Sequence, residues 1–193
     1  MTMLTIGEGM AWKFGDNVST DLIAPGRYFH LRSDLVQLAK HVLEDATLLH
    51  TVDRFIDVMS EGDYVVGGKN FGLGSSREHA PAIIKISGIR AVMAKSFARI
   101  FFRNAINVGL PAIVCDTDQI EPEDIIDLDL KNGCVLNRTR NVEVPFHPLP
   151  DIMIHILNSG GLVNYVTRNQ GLVLPLKMGM DNPSESHKSH RES

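Results

Sequence analysis

The chain contains 193 residues, with 19 Lys and Arg against 23 Asp and Glu, for a formal net charge of −4. Hydrophobic residues make up 44% of it, enough for one sizeable core, so we expect one domain with at most a short tail. It has no apolar run long enough to span a membrane, and its N-terminus lacks the basic start of a secretory signal. The mild acidity disfavours nucleic-acid binding, which needs a basic surface.

The cysteine content limits both the compartment and the metal chemistry. Two cysteines, Cys115 and Cys134, are too few for a disulfide framework. Without a secretory signal, they indicate a protein of the reducing cytoplasm. They are also fewer than the roughly three or four cysteines that usually hold an iron–sulfur cluster. We therefore expect no metal or cofactor site in this chain.

The first two thirds of the chain predict alternating strands and helices. Short β-branched runs predict strands, and apolar residues at helical spacing predict helices. The predicted order is strand Gly9–Phe14, a helix from Ser33 or Asp34 to about Asp45, a short helix within Phe55–Met59, strand Tyr64–Val66, a helix from Ala80 to Gly88, strand Ile89–Ala94, helix Phe97–Val108 and strand Pro111–Cys115. Such alternation with short connections is typical of a parallel sheet covered by helices.

The last third predicts a different arrangement. An antiparallel meander is expected from Asp124–Leu130, Cys134–Asn137 and Asn141–Pro145, followed by a last short helix at Asp151–Leu157. The predicted fold class is therefore α/β, with a central mostly parallel sheet, flanking helices and a small antiparallel β section. We expect residues 1–176 to form the domain and residues 177–193 to be a disordered polar tail.

The segment between the predicted strand Tyr64–Val66 and the next helix carries the most unusual chemistry. It has four glycines within eight residues, followed by Ser75, Ser76 and Arg77. Glycines allow tight backbone curvature, and we expect the two serines at a helix N-terminus, where free N–H groups favour an anion. Arg77 adds a planar fork matched to a carboxylate or phosphate. The segment predicts an anion-binding loop, and a purely structural helix cap is the alternative.

Three common glycine-rich motifs do not fit this segment. A phosphate-binding P-loop needs Ser or Thr after its lysine, but Asn70 follows Lys69. The dinucleotide fingerprint needs a third glycine where Arg77 stands. A nucleophile elbow needs a glycine two residues after its serine, which neither Ser75 nor Ser76 has. Nucleotide binding and acyl transfer are therefore disfavoured.

Three blocks of the sequence resemble the swivel domain of the aconitase superfamily. They are NFGLGSSREHA at residues 70–80, GDNVSTDLIAPG at 15–26, and AKSFARIFFRN at 94–104 followed by Gly109-Leu110-Pro111. The similarity covers roughly residues 10–165 and keeps the order and spacing of the blocks. A free-standing domain of this size resembles the small subunits of the two-subunit hydro-lyases in that superfamily.

This resemblance implies a hydro-lyase that is active only with a large subunit, as a heterodimer or heterotetramer. The large subunit would carry a 4Fe–4S cluster whose open iron binds the hydroxyl and a carboxylate of a small 2-hydroxy diacid. The leading expectation is isomerisation of 2-isopropylmalate to 3-isopropylmalate in leucine biosynthesis, by dehydration and rehydration. Homoaconitase-type and methylmalate or dimethylmalate substrates are alternatives, and so is a non-catalytic anion-binding module.

The resemblance also assigns roles to particular residues. Ser75 would be the base, acting as an alkoxide that removes the proton next to a carboxylate. Ser76 and Arg77 would bind substrate carboxylate. Asp21 matches an acidic residue beside the family's site, although by sequence alone it could also be the capping residue of an Asx turn.

Substrate choice in this family depends on the loop after Pro25-Gly26. Arg32 is the expected loop arginine and Arg27 is its rival, because the loop has an additional residue relative to the usual Tyr-Leu-Arg run. Phe29 or Leu31 would suit an apolar group such as isopropyl, whereas an arginine would suit a further carboxylate. We expect this loop to become ordered when the large subunit docks.

Overall fold

The computed structural model describes residues 5–171. The strands are β1 Thr5–Lys13, β2 Tyr64–Gly67, β3 Ala91–Ala94, β4 Ala112–Val114, β5 Ile125–Asp129, β6 Cys134–Asn137 and β7 Val142–Pro145. The helices are α1 Thr20–Ile23, α2 Leu35–Ala39, α3 Phe55–Val58, α4 His79–Ile86, α5 Arg99–Val108, α6 Asp151–Asn158 and α7 Leu162–Asn169. Single 3-10 segments lie at Gly26–Leu31 and Thr117–Gln119. The predicted tail at 177–193 lies outside the described residues.

The strands form one sheet in the order β4-β3-β2-β1-β5-β6-β7. Strands β1 to β4 are parallel neighbours, and β1 also pairs antiparallel with β5, which begins the meander β5-β6-β7. The predicted α/β class, with a parallel section and an antiparallel one, is confirmed. Because β1 belongs to both sections, the meander extends the same sheet.

Helices and the curled sheet together bury both faces of the parallel strands. On β3, Val92 packs with the helices in one core, whereas its neighbour Met93 packs in a second core with Leu128 and Val135 of the meander. All four residues of β3 are buried, as expected for a parallel strand covered on both sides. The carboxyl ends of β2 and β3 therefore lie at one edge, where the glycine-rich loop begins.

Two helices differ from the sequence expectation. Asp34 caps α2 through a 3.1 Å bond from the Gln37 amide, as predicted, but α2 ends at Ala39 rather than near Asp45. The backbone departs because the Leu43 amide bonds to the carbonyl of Ile23 and Leu43 has φ 54°. Helix α7 was not predicted, because the glycines at 160 and 161 indicated the end of the last helix. In the structure these two glycines form a turn that leads into α7.

No helix within residues 5–171 is long and apolar enough to cross a membrane.

Replacing Asp63 should destabilise the joint between β1 and β2. Its buried carboxylate accepts the Trp12 indole N–H at 2.7 Å, the Ser60 amide at 2.8 Å and the Met10 amide at 3.0 Å. Asp63→Ala leaves these donors without their acceptor, so we expect a loss of about 2–4 kcal/mol in the free energy of unfolding. Urea denaturation measures this, with exposed Asp53→Ala as the control at less than about 0.5 kcal/mol. Equal losses in the two variants would contradict the account.

Candidate active site

The loop between β2 and α4 is held by backbone hydrogen bonds on both sides. One side pairs with the segment that leads into α1, and the other pairs with the segment that leads into α5. The bonds are Gly72 N to Val18 O at 2.7 Å, Thr20 N to Leu73 O at 2.8 Å, Phe71 N to Ser96 O at 2.9 Å and Ala98 N to Phe71 O at 2.9 Å. The three sequence blocks that are far apart in the chain therefore meet at this loop.

Glycine is required where the loop crosses α5. Gly72 has φ +77°, and a Cβ on it would lie 2.2 Å from the ring of Phe101. Gly74 has φ +111°, with Thr20 Oγ1 3.0 Å from the position of a Cβ. Side chains at these positions would push the loop away from α1 and α5. The predicted need for tight curvature is confirmed.

Ser75 lies exposed at the tip of this loop beside the Arg77 guanidinium. Its Oγ accepts a 3.1 Å hydrogen bond from Arg77 Nε, and its carbonyl accepts one from Thr20 Oγ1 at 3.1 Å. A cation within hydrogen-bond distance favours the negatively charged form of a hydroxyl. The arrangement therefore places a positive charge where it would stabilise a deprotonated Ser75 Oγ.

Arg77 connects Ser75 to α1. Its Nη1 donates to the Ala24 carbonyl at 2.7 Å, and its Nη2 is ion-paired with Asp21. The Arg77 side chain is 19% exposed and that of Asp21 is 61% exposed, so the pair lies at the mouth of the site. Asp21 is not the capping residue of α1, because Ser19 Oγ fills that role by accepting from the Leu22 amide. The structure thus brings Asp21, Arg77 and Ser75 together.

The expectation that Ser75 and Ser76 stand at a helix N-terminus is wrong, although the predicted helix start at Ala80 lies one residue from the observed start. Helix α4 begins at His79, with Glu78 before it. Residues 75–77 form an irregular segment before this helix, in which Arg77 bonds to α1. Ser76 is exposed and its side chain makes no hydrogen bond within residues 5–171. It therefore remains available to a ligand.

A cavity of about 230 Å³ adjoins Ser75, between the glycine-rich loop, α1 and the N-terminus of α5. Its polar lining comes from Thr20, Ser75, Arg77, Arg99 and Asn104. Sequence reasoning missed Thr20 and Asn104. Asn104 could have been recognised from the sequence, because it is a polar residue directly before Ala105 on the apolar face of a predicted helix.

The two candidate loop arginines have different surroundings. Arg27 donates to Asp45 at 2.8 Å, lies 3.4 Å from Glu44 and stacks over the Tyr28 ring. Arg32 stacks 4.5 Å from the Phe29 ring centroid and donates to that residue's carbonyl, with no acidic partner in the described part of the chain. Neither lines the cavity beside Ser75. Arg27 is therefore engaged within the chain, whereas Arg32 keeps its charge uncompensated.

The cysteines are poorly suited to ligate a cluster. Burial raises the pKa of the Cys115 thiol to about 12, and burial also raises the pKa of Cys134. Ligation requires thiolates, which are disfavoured at both positions. Within residues 5–171, no group of three or more His, Cys, Asp or Glu is placed to hold a metal ion. Between residues 5 and 171, the side chains therefore do not fit an iron–sulfur cluster.

Comparison with known proteins agrees with this geometry. The aconitase C-terminal domain family matches residues 13–117, a range that includes all three blocks. The 3-isopropylmalate dehydratase small subunit 2 of Archaeoglobus fulgidus is 56% identical over 161 residues, which cover 83% of this chain and 94% of that protein. Small subunit 1 of the Thermotoga maritima enzyme is 55% identical over 163 residues, covering 84% and 95%.

A solved structure gives the same result for the fold. The crystal structure of 3-isopropylmalate dehydratase from Methanocaldococcus jannaschii matches with a TM-score of 0.78 and 44% identity, covering 86% of this chain and 95% of that one. The resemblance found in the sequence is confirmed. The chain belongs to the aconitase C-terminal domain family.

Proposed function

We propose that the chain is the small subunit of a two-subunit 3-isopropylmalate dehydratase, a hydro-lyase of leucine biosynthesis. The observation that carries the proposal is the hydrogen bond from Arg77 Nε to Ser75 Oγ at the mouth of a cavity. The alignments with the two small subunits cover more than nine-tenths of each of those proteins, and the names of these relatives support the substrate. The isomerisation moves a hydroxyl between neighbouring carbons, through an alkene.

Ser75 is the proton-transferring group in this proposal. As an alkoxide, its Oγ takes the proton from the carbon next to a substrate carboxylate. The electron pair of that C–H bond becomes the double bond as the neighbouring hydroxyl departs. In rehydration, hydroxide adds to the carbon that lost its proton, and Oγ–H returns its proton to the carbon that lost the hydroxyl, which restores the alkoxide. The Arg77 guanidinium stabilises Oγ while it is charged.

Arg77, Ser76 and Asp21 bind and orient in this scheme. Each Nη atom of Arg77 has a second N–H for a carboxylate beside its bond to Asp21 or the Ala24 carbonyl, and those two bonds fix the plane of the guanidinium. Ser76 is exposed next to it and can donate its hydroxyl to the same carboxylate. Asp21 is thus a positioning residue that acts through Arg77.

The rest of the site comes from a large subunit, in a heterodimer or heterotetramer. When bound there, a 4Fe–4S cluster supplies the Lewis acid that takes the substrate's hydroxyl and carboxylate. The exposure of Ser75, Ser76 and Asp21 leaves this chain's part of the site open to such a partner. The two free cysteines fit a reducing compartment, and we place the enzyme in the cytoplasm.

Arg32 rather than Arg27 is the loop arginine in this proposal. Arg27 is already paired with Asp45, whereas Arg32 has no acidic partner within residues 5–171. We expect Arg32→Ala to raise the KM of the reconstituted enzyme about 10–100-fold, as for loss of a charge-assisted hydrogen bond. Arg27→Ala should change KM less than about fivefold, because it loses an exposed pair. Steady-state kinetics of both variants checks this, and the reverse order would contradict it.

A substrate panel tests the proposed function. The chain is mixed with a cluster-bearing large subunit and given 2-isopropylmalate, homoaconitate and dimethylmalate under identical conditions. We expect the highest kcat/KM for 2-isopropylmalate. A higher kcat/KM for either alternative would reassign the substrate, and no turnover of any of them would overturn the enzyme proposal.

A further inference from the structure

The 3-10 segment that follows Pro25 has two different faces. A 3-10 helix repeats every three residues, so Tyr28 and Leu31 share one face, and Phe29 and Arg32 share another. The first face is half-buried and packs against the core of the helices, whereas the second face is exposed. On the exposed face, the Arg32 guanidinium lies 4.5 Å from the centroid of the Phe29 ring. The attachment of the inner face therefore determines where Arg32 points.

The outer face lies next to the segment that carries the catalytic groups. The centroid of the Phe29 ring is 6.2 Å from that of the His79 ring. His79 is the first residue of α4 and follows two positions after Arg77. Arg32 is therefore presented on the side of its segment that faces the loop of Ser75.

The inner face is held through Tyr28. The Tyr28 ring stacks on the His41 imidazole, with 3.6 Å between ring centroids and 13° between planes. His41 Nδ1 donates to Glu44 Oε2 at 2.7 Å, and the Tyr28 hydroxyl donates to Glu44 Oε1 at 3.3 Å. These three side chains form a closed set, and that of Glu44 is only 14% exposed. The neighbouring pair of Arg27 and Asp45 is 47% and 40% exposed, so it adds little.

The turns that carry His41 and Glu44 are fixed to the site. The residues between these two are completely buried. One of them, Leu43, donates its amide to the carbonyl of Ile23 at 3.0 Å. Ile23 is the last residue of α1, the helix with which Arg77 is paired. The contacts of Tyr28 therefore hold the 3-10 segment in a fixed position relative to Arg77.

We propose that Tyr28 is a positioning residue, which His41 and Glu44 hold so that Arg32 faces the substrate. This inference rests on the proposed function, in which Arg32 is the loop arginine. Tyr28 touches no reacting atom and acts through Arg32, by keeping the segment in one orientation before substrate binds. A group that is oriented correctly only part of the time binds with a correspondingly lower apparent affinity. Bound substrate restores the orientation, so the effect falls on KM rather than on kcat.

Kinetics of the reconstituted enzyme tests this role. We expect Tyr28→Ala to raise KM for 2-isopropylmalate about tenfold and to change kcat less than about twofold, as when the competent orientation is populated about one tenth of the time. Tyr28→Phe keeps the stacked ring and loses only the 3.3 Å bond, so its KM should stay within about threefold of the wild type. An unchanged KM in Tyr28→Ala, or an equal rise in Tyr28→Phe, would overturn the proposal.

A double variant separates positioning from general destabilisation. If Tyr28 acts through Arg32, adding Tyr28→Ala to Arg32→Ala should raise KM less than about threefold further. A further rise as large as that of Tyr28→Ala alone would mean that the two residues act independently, which would overturn the proposal. His41→Ala removes the other ring of the stack without changing the 3-10 segment, and it replaces Tyr28→Ala in both experiments if that variant does not fold.

Mobility of the full chain alone separates this inference from the proposed function. The ¹H–¹⁵N NOE of residues 27–32 is compared in the wild type, in His41→Ala and in the control His155→Ala, an exposed histidine of α6. We expect lower values in His41→Ala only. Equal values in all three proteins would overturn the inference. Lower values in His41→Ala, without turnover of any diacid by the wild-type pair, would support the hold on this segment and overturn the proposed enzyme.

Discussion

Replacing Ser75 with alanine is expected to lower the kcat of the reconstituted enzyme about 10²–10⁴-fold, the usual contribution of a proton-transferring group. The reason is that Ser75 Oγ is the atom that Arg77 Nε holds at the cavity mouth. The substitution removes no buried group, because Ser75 is exposed, so folding and docking of the large subunit should be retained. Steady-state kinetics with 2-isopropylmalate measures the effect, and KM should change far less than kcat.

The control for this result is Ser159→Ala at the end of α6. Removing the Ser159 hydroxyl should leave no cavity, since its Oγ only donates to the His155 carbonyl. We expect its kcat to match the wild type. If Ser75→Ala retained wild-type kcat in the same preparation, Ser75 would not be the base and proton removal would have to be assigned to another group.

Replacing Gly72 with alanine is expected to reduce the free energy of unfolding by about 2–5 kcal/mol. The left-handed backbone at φ +77° costs a non-glycine residue about 1–2 kcal/mol, and crowding of a packed core adds about 1–3 kcal/mol. The crowding arises because a Cβ would lie 2.2 Å from the ring of Phe101, which is buried in α5. Urea denaturation of the full chain measures the loss.

Gly160→Ala is the matched control for this prediction. Its φ of +81° gives nearly the same backbone cost, but the nearest atom to a Cβ is the flexible amide of Asn164 at 3.3 Å. The difference between the two variants therefore isolates the contact of the loop with α5. Equal losses would mean that the loop does not depend on Phe101 for its position. A larger loss at Gly72 should be accompanied by a fall in kcat, because the same contact positions Ser75.

Local patterns in the sequence predicted most of the secondary structure. The strand Cys134–Asn137 has the predicted bounds, and the predicted helix ending at Gly109 does end there, because this glycine adopts φ +82°. Gly72 and Gly74 were recognised as points of tight curvature for the same reason. These features depend on residues close in the chain, which sequence periodicity and turn chemistry describe well.

Features that depend on distant contacts were predicted less well. The position of Ser75 beside α1 depends on the bonds of Arg77 to Asp21 and Ala24, more than fifty residues earlier in the chain. For the same reason, the helix terminus beside Ser75 is that of α5 rather than α4. Periodicity within one segment carries no information about which other segment will pack against it.

The different surroundings of Arg27 and Arg32 were also not predictable from the sequence. Both arginines lie in one loop and are equally plausible as anion ligands by residue type. The structure separates them because Asp45, which follows α2, reaches back to Arg27. Asn104 was missed for a related reason, since only the packed fold shows that its amide is buried and faces the cavity.

In the proposed enzyme, this chain contributes Ser75 and the carboxylate-binding groups, and a second subunit completes the active site. The most direct measurement compares 2-isopropylmalate turnover by this chain alone, by a cluster-bearing large subunit alone and by the two mixed in equal amounts. We expect turnover only in the mixture, with a rate that saturates when this chain reaches equal concentration with the partner. Turnover by either subunit alone at the rate of the mixture would contradict it.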